Sequence, residues 1–233
     1  MTIKKLVFAS IAVLIGLLIF VQISSAQREI RQVGNFNSIK VANGLDVYIT
    51  QQNERGVEIE ASKGQIHRII TEVKGETLHV YVKGSFKWNL KDTRKVYISS
   101  PIFKNITANG GADIHGTTAI KAENLNLECN GGADIYLSVY TNNLNLNCTG
   151  GADMLIEGTT EKLTASASGG ADINAKKLKA KHATVSASGG GDVEVFASES
   201  LTANASGGGD VNYSGSPKMK QINESGGGDV SGY

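Results

Sequence analysis

The chain has 233 residues, 23 of them basic and 22 acidic, with 28 glycines, two prolines and two cysteines. Once Lys4 and Lys5 of the leader described next are set aside, 21 basic residues face 22 acidic ones. No basic stripe remains to track phosphates, which argues against a nucleic-acid partner, and the regular recurrence of apolar residues argues against a disordered, glycine-rich chain.

Residues 1–26 read as a signal peptide. Lys4 and Lys5 precede an uncharged apolar run of 18 residues, Leu6 to Ile23, and Ser24-Ser25-Ala26 supplies the small residues of a cleavage site. Cleavage there would export the chain to the periplasm, the cell surface or the medium and leave no integral membrane segment. Uncut, the run is long enough to anchor in a bilayer. No cysteine follows the cut, so a lipid anchor is not indicated.

Residues 27–104 have the texture of a divergent N-terminal cap. Strands are predicted in NFNSIKVANGLDVYITQ (35–51), VEIEAS (57–62), GETLHVYVKG (75–84) and RKVYISS (94–100). IHRIITEVK (66–74) is ambiguous between strand and short helix. SFKWNLK (85–91) sits at an expected hairpin tip and carries the only tryptophan, Trp88, next to Phe86. Aromatics at a tip can stack on a sugar or a partner, or pack onto the core as part of the cap.

Residues 105–233 repeat. Asp113, Asp134, Asp153, Asp172, Asp192, Asp210 and Asp229 each close a GGAD or GGGD motif, at intervals of 21, 19, 19, 20, 18 and 19 residues, and 17 of the 28 glycines lie in these seven motifs. Numbered from each Asp as zero, position −7 holds Ile106, Leu127, Leu146, Ala165, Val185, Ala203 and Ile222. Position −5 holds Ala108, Cys129, Cys148, Ala167, Ala187, Ala205 and Glu224, and position +1 holds only Ile, Met or Val. Polar residues fill the alternate positions. This two-residue period marks a half-buried strand, and the two glycines before the Asp make a natural corner. The pattern predicts an all-β fold, a parallel β-helix or solenoid of seven coils of about 19 residues, stacked roughly 4.8 Å apart. Cys129 and Cys148 fall at one inward slot of successive coils, as two free buried thiols or as a strained bridge.

The Asn-Gly-x-Asp-Val copy at 43–47, followed by repeated Ser/Asn-Gly-Gly-x-Asp behind a signal peptide, resembles the bacterial family described as "putative auto-transporter adhesin, head GIN domain". The resemblance covers about 35–233. It implies a right-handed β-helix in an exported protein, and no particular activity.

Three surface features are candidates for function. The Asp row (Asp113, Asp134, Asp153, Asp172, Asp192, Asp210 and Asp229) stacks like charges about 5 Å apart, at a cost of about 1 kcal/mol per neighbouring pair in water. Backbone amides at the glycine corner would offset that and lower the carboxyl pKa values. Bridging cations, Ca²⁺ by preference for oxygen ligands, are the alternative. A flat polar face formed by Thr164, Ser166, Thr184, Ser186, Thr202 and Asn204 could lie against a polysaccharide, or be a solvated sheet face. Trp88 and Phe86 are the third. His115, at position +2, reads as a solvated surface residue. No P-loop, HExxH, CxxC or nucleophile elbow is present. The leading expectation is therefore a non-enzymatic adhesin or envelope binding module, with an envelope or extracellular polysaccharide or protein as its partner. A Ca²⁺-dependent, lyase-like β-helix enzyme and a module that self-associates end to end are the alternatives.

Overall fold

The computed structural model describes residues 26–84 and 92–233. The predicted leader, but for Ala26, and the SFKWNLK tip with Trp88 and Phe86 lie outside the described residues. The described residues form seventeen strands and one short 3₁₀ turn, with no α-helix among them. The N-terminal part contains β1 (Gln27–Arg31), β2 (Ser38–Ala42), β3 (Asp46–Gln51), β4 (Gly56–Ala61), β5 (Ile69–Lys74), β6 (Thr77–Val82) and β7 (Arg94–Ser100). The ambiguous stretch 66–74 resolves into both alternatives: a 3₁₀ turn at Ile66–Arg68 leads straight into β5.

The repeats follow as β8 (Asn105–Asn109), β9 (Asp113–Gly116), β10 (Ile120–Asn130), β11 (Asp134–Gly150), β12 (Asp153–Gly169), β13 (Asp172–Gly189), β14 (Asp192–Gly207), β15 (Val211–Ser214), β16 (Met219–Gly226) and β17 (Val230–Gly232). Each repeat pairs in parallel with the next, in register on either side of the glycine corner and with bulges after Leu155, Ala175 and Ala180, so that Leu127, Leu146, Ala165, Val185 and Ala203 form one column. The result is a parallel β-solenoid of about seven turns, its bridges about 19 residues apart. One wall runs β6-β2-β8-β10 and a second runs β7-β3-β9-β11, and both continue along the stack. A third wall joins the middles of β10 to β14.

The inward columns are the core. Every residue at positions −7 and −5 is buried from Ile106 to Ala205, as are Ile114, Ile135, Met154, Ile173, Val193 and Val211 at +1. Strand alternation alone puts them there, and each large side chain withdrawn from water contributes roughly 1.5–3 kcal/mol. Both cysteines are free and buried in this column. Each thiol donates to a carbonyl of its own corner, Cys129 to Ala133 at 2.8 Å and Cys148 to Ala152 at 2.9 Å. The neighbouring Cys148 thiol and burial push Cys129 far above the usual thiol range, which keeps it unreactive.

β2 and β3 form a coil of the same kind. Asn43 and Gly44 adopt φ of 66° and 64°, beside 55° and 73° for Gly110 and Gly111. Asn is among the few residues that tolerate this left-handed region, so NGLD turns the same corner as GGAD. Antiparallel strands close this end: β4 pairs with β7, β1 with β4 and β5 with β6.

The change from GGAD to GGGD also has a steric cause. Gly191, Gly209 and Gly228 donate to Ser188, Ser206 and Ser225 in tight turns. A Cβ on Gly209 would come within 2.6 Å of the Gly191 carbonyl oxygen, and one on Gly191 within 2.7 Å of the Ala171 oxygen. Ala112, Ala133, Ala152 and Ala171 fill the same position, fully buried, where the corner is wider. Gly209→Ala is therefore expected to cost about 2–3 kcal/mol by overpacking and to lower Tm by roughly 5–10 °C. Ala171→Gly should cost about 1 kcal/mol. Thermal melts followed by circular dichroism compare them, and an unchanged melt for Gly209→Ala would contradict the close approach.

Candidate functional site

Two outward surfaces flank the corner. The first is the wall before the glycines. Its column at position −8 runs Ser38, Asn105, Asn126, Asn145, Thr164, Thr184, Thr202 and Gln221. Asn105 donates to Ser38 at 2.9 Å, Asn126 to Asn105 at 2.8 Å and Asn145 to Asn126 at 2.7 Å. A carboxamide has both a donor and an acceptor and is long enough to bridge a coil step, so asparagines satisfy one another along the column. The threonine at the next coil, Thr164, makes no such bond, and the ladder stops at Asn145.

Beyond it, Thr164, Thr184 and Thr202 stand beside Ser166, Ser186 and Asn204. Among the described residues no hydrogen bond ties the side-chain hydroxyls of Thr164, Ser166, Thr184, Ser186 or Thr202 to the protein. Asn204 accepts from Asn223 at 2.8 Å. The three coils thus present a regular, uncharged lattice of hydroxyls, about 4.8 Å apart along the solenoid and roughly 6.7 Å apart along each strand.

The second surface follows the corner and carries the aspartates in register: Asp113 pairs with Asp134, Asp134 with Asp153, Asp153 with Asp172 and Asp172 with Asp192. Asp46 pairs with Asp113 and adds an eighth carboxylate, with Lys95 at the next register position. The expected offset by the amides of each corner needs correction. The carboxylates of Asp172, Asp192 and Asp210 each accept the backbone N–H of the following coil's aspartate: Asp192 to Asp172 at 3.2 Å, Asp210 to Asp192 at 3.0 Å and Asp229 to Asp210 at 3.0 Å. The aspartate N–H also donates to a corner alanine from Asp134 to Asp192, to Ala112, Ala133, Ala152 and Ala171 in turn, each at 3.1 Å. For Asp113 and Asp153 the repulsion dominates. Burial first, then the flanking aspartates, pushes Asp113 and Asp153 above the ordinary 3.8, the opposite of the expected lowering. Among the described residues no three His, Cys, Asp or Glu side chains gather into a group that could hold a metal ion.

Two positions beyond the Asp row runs an aromatic ladder that sequence reasoning missed. Tyr97 stacks on Tyr48 at 5.3 Å, Tyr48 on His115 at 5.4 Å and His115 on Tyr136 at 5.0 Å. His115 is half-buried between two tyrosines rather than a free surface residue. The rings cover one another's faces, and the Arg28 guanidinium lies 5.7 Å over Tyr97, so mainly ring edges meet solvent. That geometry stabilises the stack and offers little of a sugar-stacking platform. The alignment of Tyr48, His115 and Tyr136 at +2 was readable in the repeat. Tyr97 lies outside the repeat and was not.

A parallel β-solenoid with ladders of identical side chains on its outer walls defines the class. The chain belongs to the family described as "Putative auto-transporter adhesin, head GIN domain", which matches residues 35–217. Among solved structures it is similar to a protein described as a putative adhesin from Bacteroides fragilis, at 27% identity and a TM-score of 0.84, covering 90% of this chain and 97% of that one. It also shares its fold with a putative adhesin from Parabacteroides merdae, at 18% identity, a TM-score of 0.69 and 90% and 96% coverage. A protein described as a putative lipid binding protein from Parabacteroides distasonis has the same fold, at 18% identity, a TM-score of 0.68 and 90% and 97% coverage. No curated protein matches. Among the described residues no helix is long and apolar enough to cross a membrane.

An aspartate whose folded pKa lies above its unfolded one favours the fold at acid pH and loses that contribution as pH rises through the raised value. Asp113→Asn is thus expected to raise Tm at pH 7 by roughly 2 °C, from about 1 kcal/mol of relieved repulsion. The difference should vanish below about pH 4. Melts across pH measure this, and a lower Tm for Asp113→Asn at pH 7 would mean that the carboxylate makes a bond the fold requires.

Proposed function

We propose that the protein is an exported, non-enzymatic adhesin-type module of the cell envelope, working in the periplasm or at the cell surface, that binds an extended neutral polysaccharide along the hydroxyl lattice of β12, β13 and β14. The observation that supports this most directly is the contrast within one column. Asn105, Asn126 and Asn145 are tied to one another by amide hydrogen bonds, whereas the hydroxyls of Thr164, Thr184, Thr202, Ser166 and Ser186 make none to the protein among the described residues. Hydroxyls bonded only to water exchange those bonds for a ligand's at small cost, and here strand pairing has already fixed their positions.

A sugar chain laid along the solenoid axis would meet a hydroxyl pair on β12 and on β13, and Thr202 beside Asn204 on β14. The lattice carries no charge over these coils, which favours a neutral glycan over a uronate. Adhesin descriptions of the family and of the Bacteroides fragilis relative agree with a binding role. The lyase-like alternative gains no comparable support: the Asp row has aromatic rings beside it rather than a cluster of basic residues.

The test is retention on immobilised neutral and acidic polysaccharides together with a glycan array, using the wild type and Thr164→Lys/Thr184→Lys. Lysines in the column would cover the lattice without touching the core. The expected outcome is wild-type binding to one neutral glycan class, weakened at least about tenfold in the variant. Binding that survives both lysines would remove this face from consideration.

A further inference from the structure

The far end of the stack carries a surface separate from the hydroxyl lattice and the Asp row. β16 lies beyond the residues matched by the family. All eight of its residues are exposed, and among the described residues it pairs only with β14. Register places Lys220, Ile222 and Glu224 over Leu201, Ala203 and Ala205, so two charges occupy slots that are apolar in the coil below. They are not idle. Lys220 Nζ lies 3.4 Å from the Tyr213 hydroxyl and 5.7 Å from the centre of its ring. Glu224 Oε1 accepts the Val230 N–H at 2.8 Å. The equivalent N–H groups of Val193 and Val211 donate to the next coil, to Asp210 and Asp229, so Glu224 supplies the acceptor that a further coil would give.

The order of residues along this edge is self-complementary. If two copies of β16 pair antiparallel about a two-fold axis at Ile222, Lys220 of each copy falls opposite Glu224 of the other. Gln221 then falls opposite Asn223 and Ile222 opposite Ile222, so inward charge meets inward charge and outward amide meets outward amide. Ile222, 41% exposed, and Met219, 65% exposed, would be covered together. The other end of the solenoid is unlike this. Its outer strands are antiparallel, and charges there pair within the chain, Arg28 with Glu58 and Glu60, and Lys74 with Glu72.

We infer that the edge strand Met219–Gly226 is a docking surface for a second copy of this chain, forming a closed two-fold dimer through Lys220–Glu224 pairs on either side of Ile222. An unpaired edge is a ready template for another strand, and the charge order selects a like edge in one register. An isologous contact closes on itself, so the assembly stops at two.

Sedimentation velocity across concentration at low salt is the test, with circular dichroism melts confirming that each variant is folded. The wild type is expected to dimerise reversibly. Lys220→Glu and Glu224→Lys, which each place like charges opposite one another, should weaken dimerisation by about tenfold or more. A mixture of the two variants should recover it, because their charges complement again. A wild type that stays monomeric, or variants whose mixture fails to associate, would overturn the inference. Species that keep growing with concentration would overturn it as well, since they require a head-to-tail contact.

Discussion

The in-register parallel ladder is the constraint from which the rest of this molecule follows. Each coil hydrogen-bonds to the next through its backbone, and a one-residue slip would turn every core side chain outward. Because register is held, each position of the repeat becomes a column. Whatever occupies a position is then repeated at the coil spacing along the whole wall. Columns that tolerate self-stacking are favourable, and columns that do not must be compensated coil by coil.

Inward, compensation is steric. Leu and Ile fill the early coils at position −7, while Ala and Val fill the later ones. The glycine corner tightens as well, from GGAD with a buried alanine to GGGD, where a Cβ would strike the backbone of the coil below. Outward, compensation is polar and takes three forms. Asparagines stacked on asparagines satisfy both ends of the amide. Aromatic rings stack face to face. Aspartates gain nothing from each other's charge, and the later coils relieve them by lending the next aspartate's N–H to the carboxylate. Asp113 and Asp153 keep their repulsion and take up protons more readily for it.

Much of this could be read in the sequence because it is periodic. The 19-residue beat, the inward slots and the corner glycines together specify a solenoid, and the stacked aspartates follow from it. What could not be read were the features that break the period or depend on three-dimensional neighbours. Tyr97 joins the aromatic ladder from a strand outside the repeat. The motif copy at 43–47 was visible, but its place at the head of the Asp row was not, because 67 residues separate Asp46 from Asp113. The direction of the aspartate pKa shift depended on which N–H reached which oxygen. Spacing gives no hint of that, because the same Asp follows two corner geometries. The hydroxyl lattice was visible as a Thr/Ser/Asn face, but its distinction from the asparagine ladder lies in which partners each group reaches.

A solenoid built this way has no intrinsic stopping point, because each coil presents to the next the same edge that it received. Its ends must therefore be dealt with separately, and the two ends use different physics. At the N-terminal end the strands reverse direction, so the outermost edge no longer matches a parallel coil. At the other end the repeat continues unchanged in backbone while its inward slots change character, with Lys220 and Glu224 replacing leucine and alanine. Charges in core slots make the addition of another coil unfavourable, since each would be buried against apolar residues without an opposite charge. They leave one inexpensive solution, an edge that brings the opposite charge to each. Of the edges this chain offers, the one that does so in register is its own β16 turned through a half rotation.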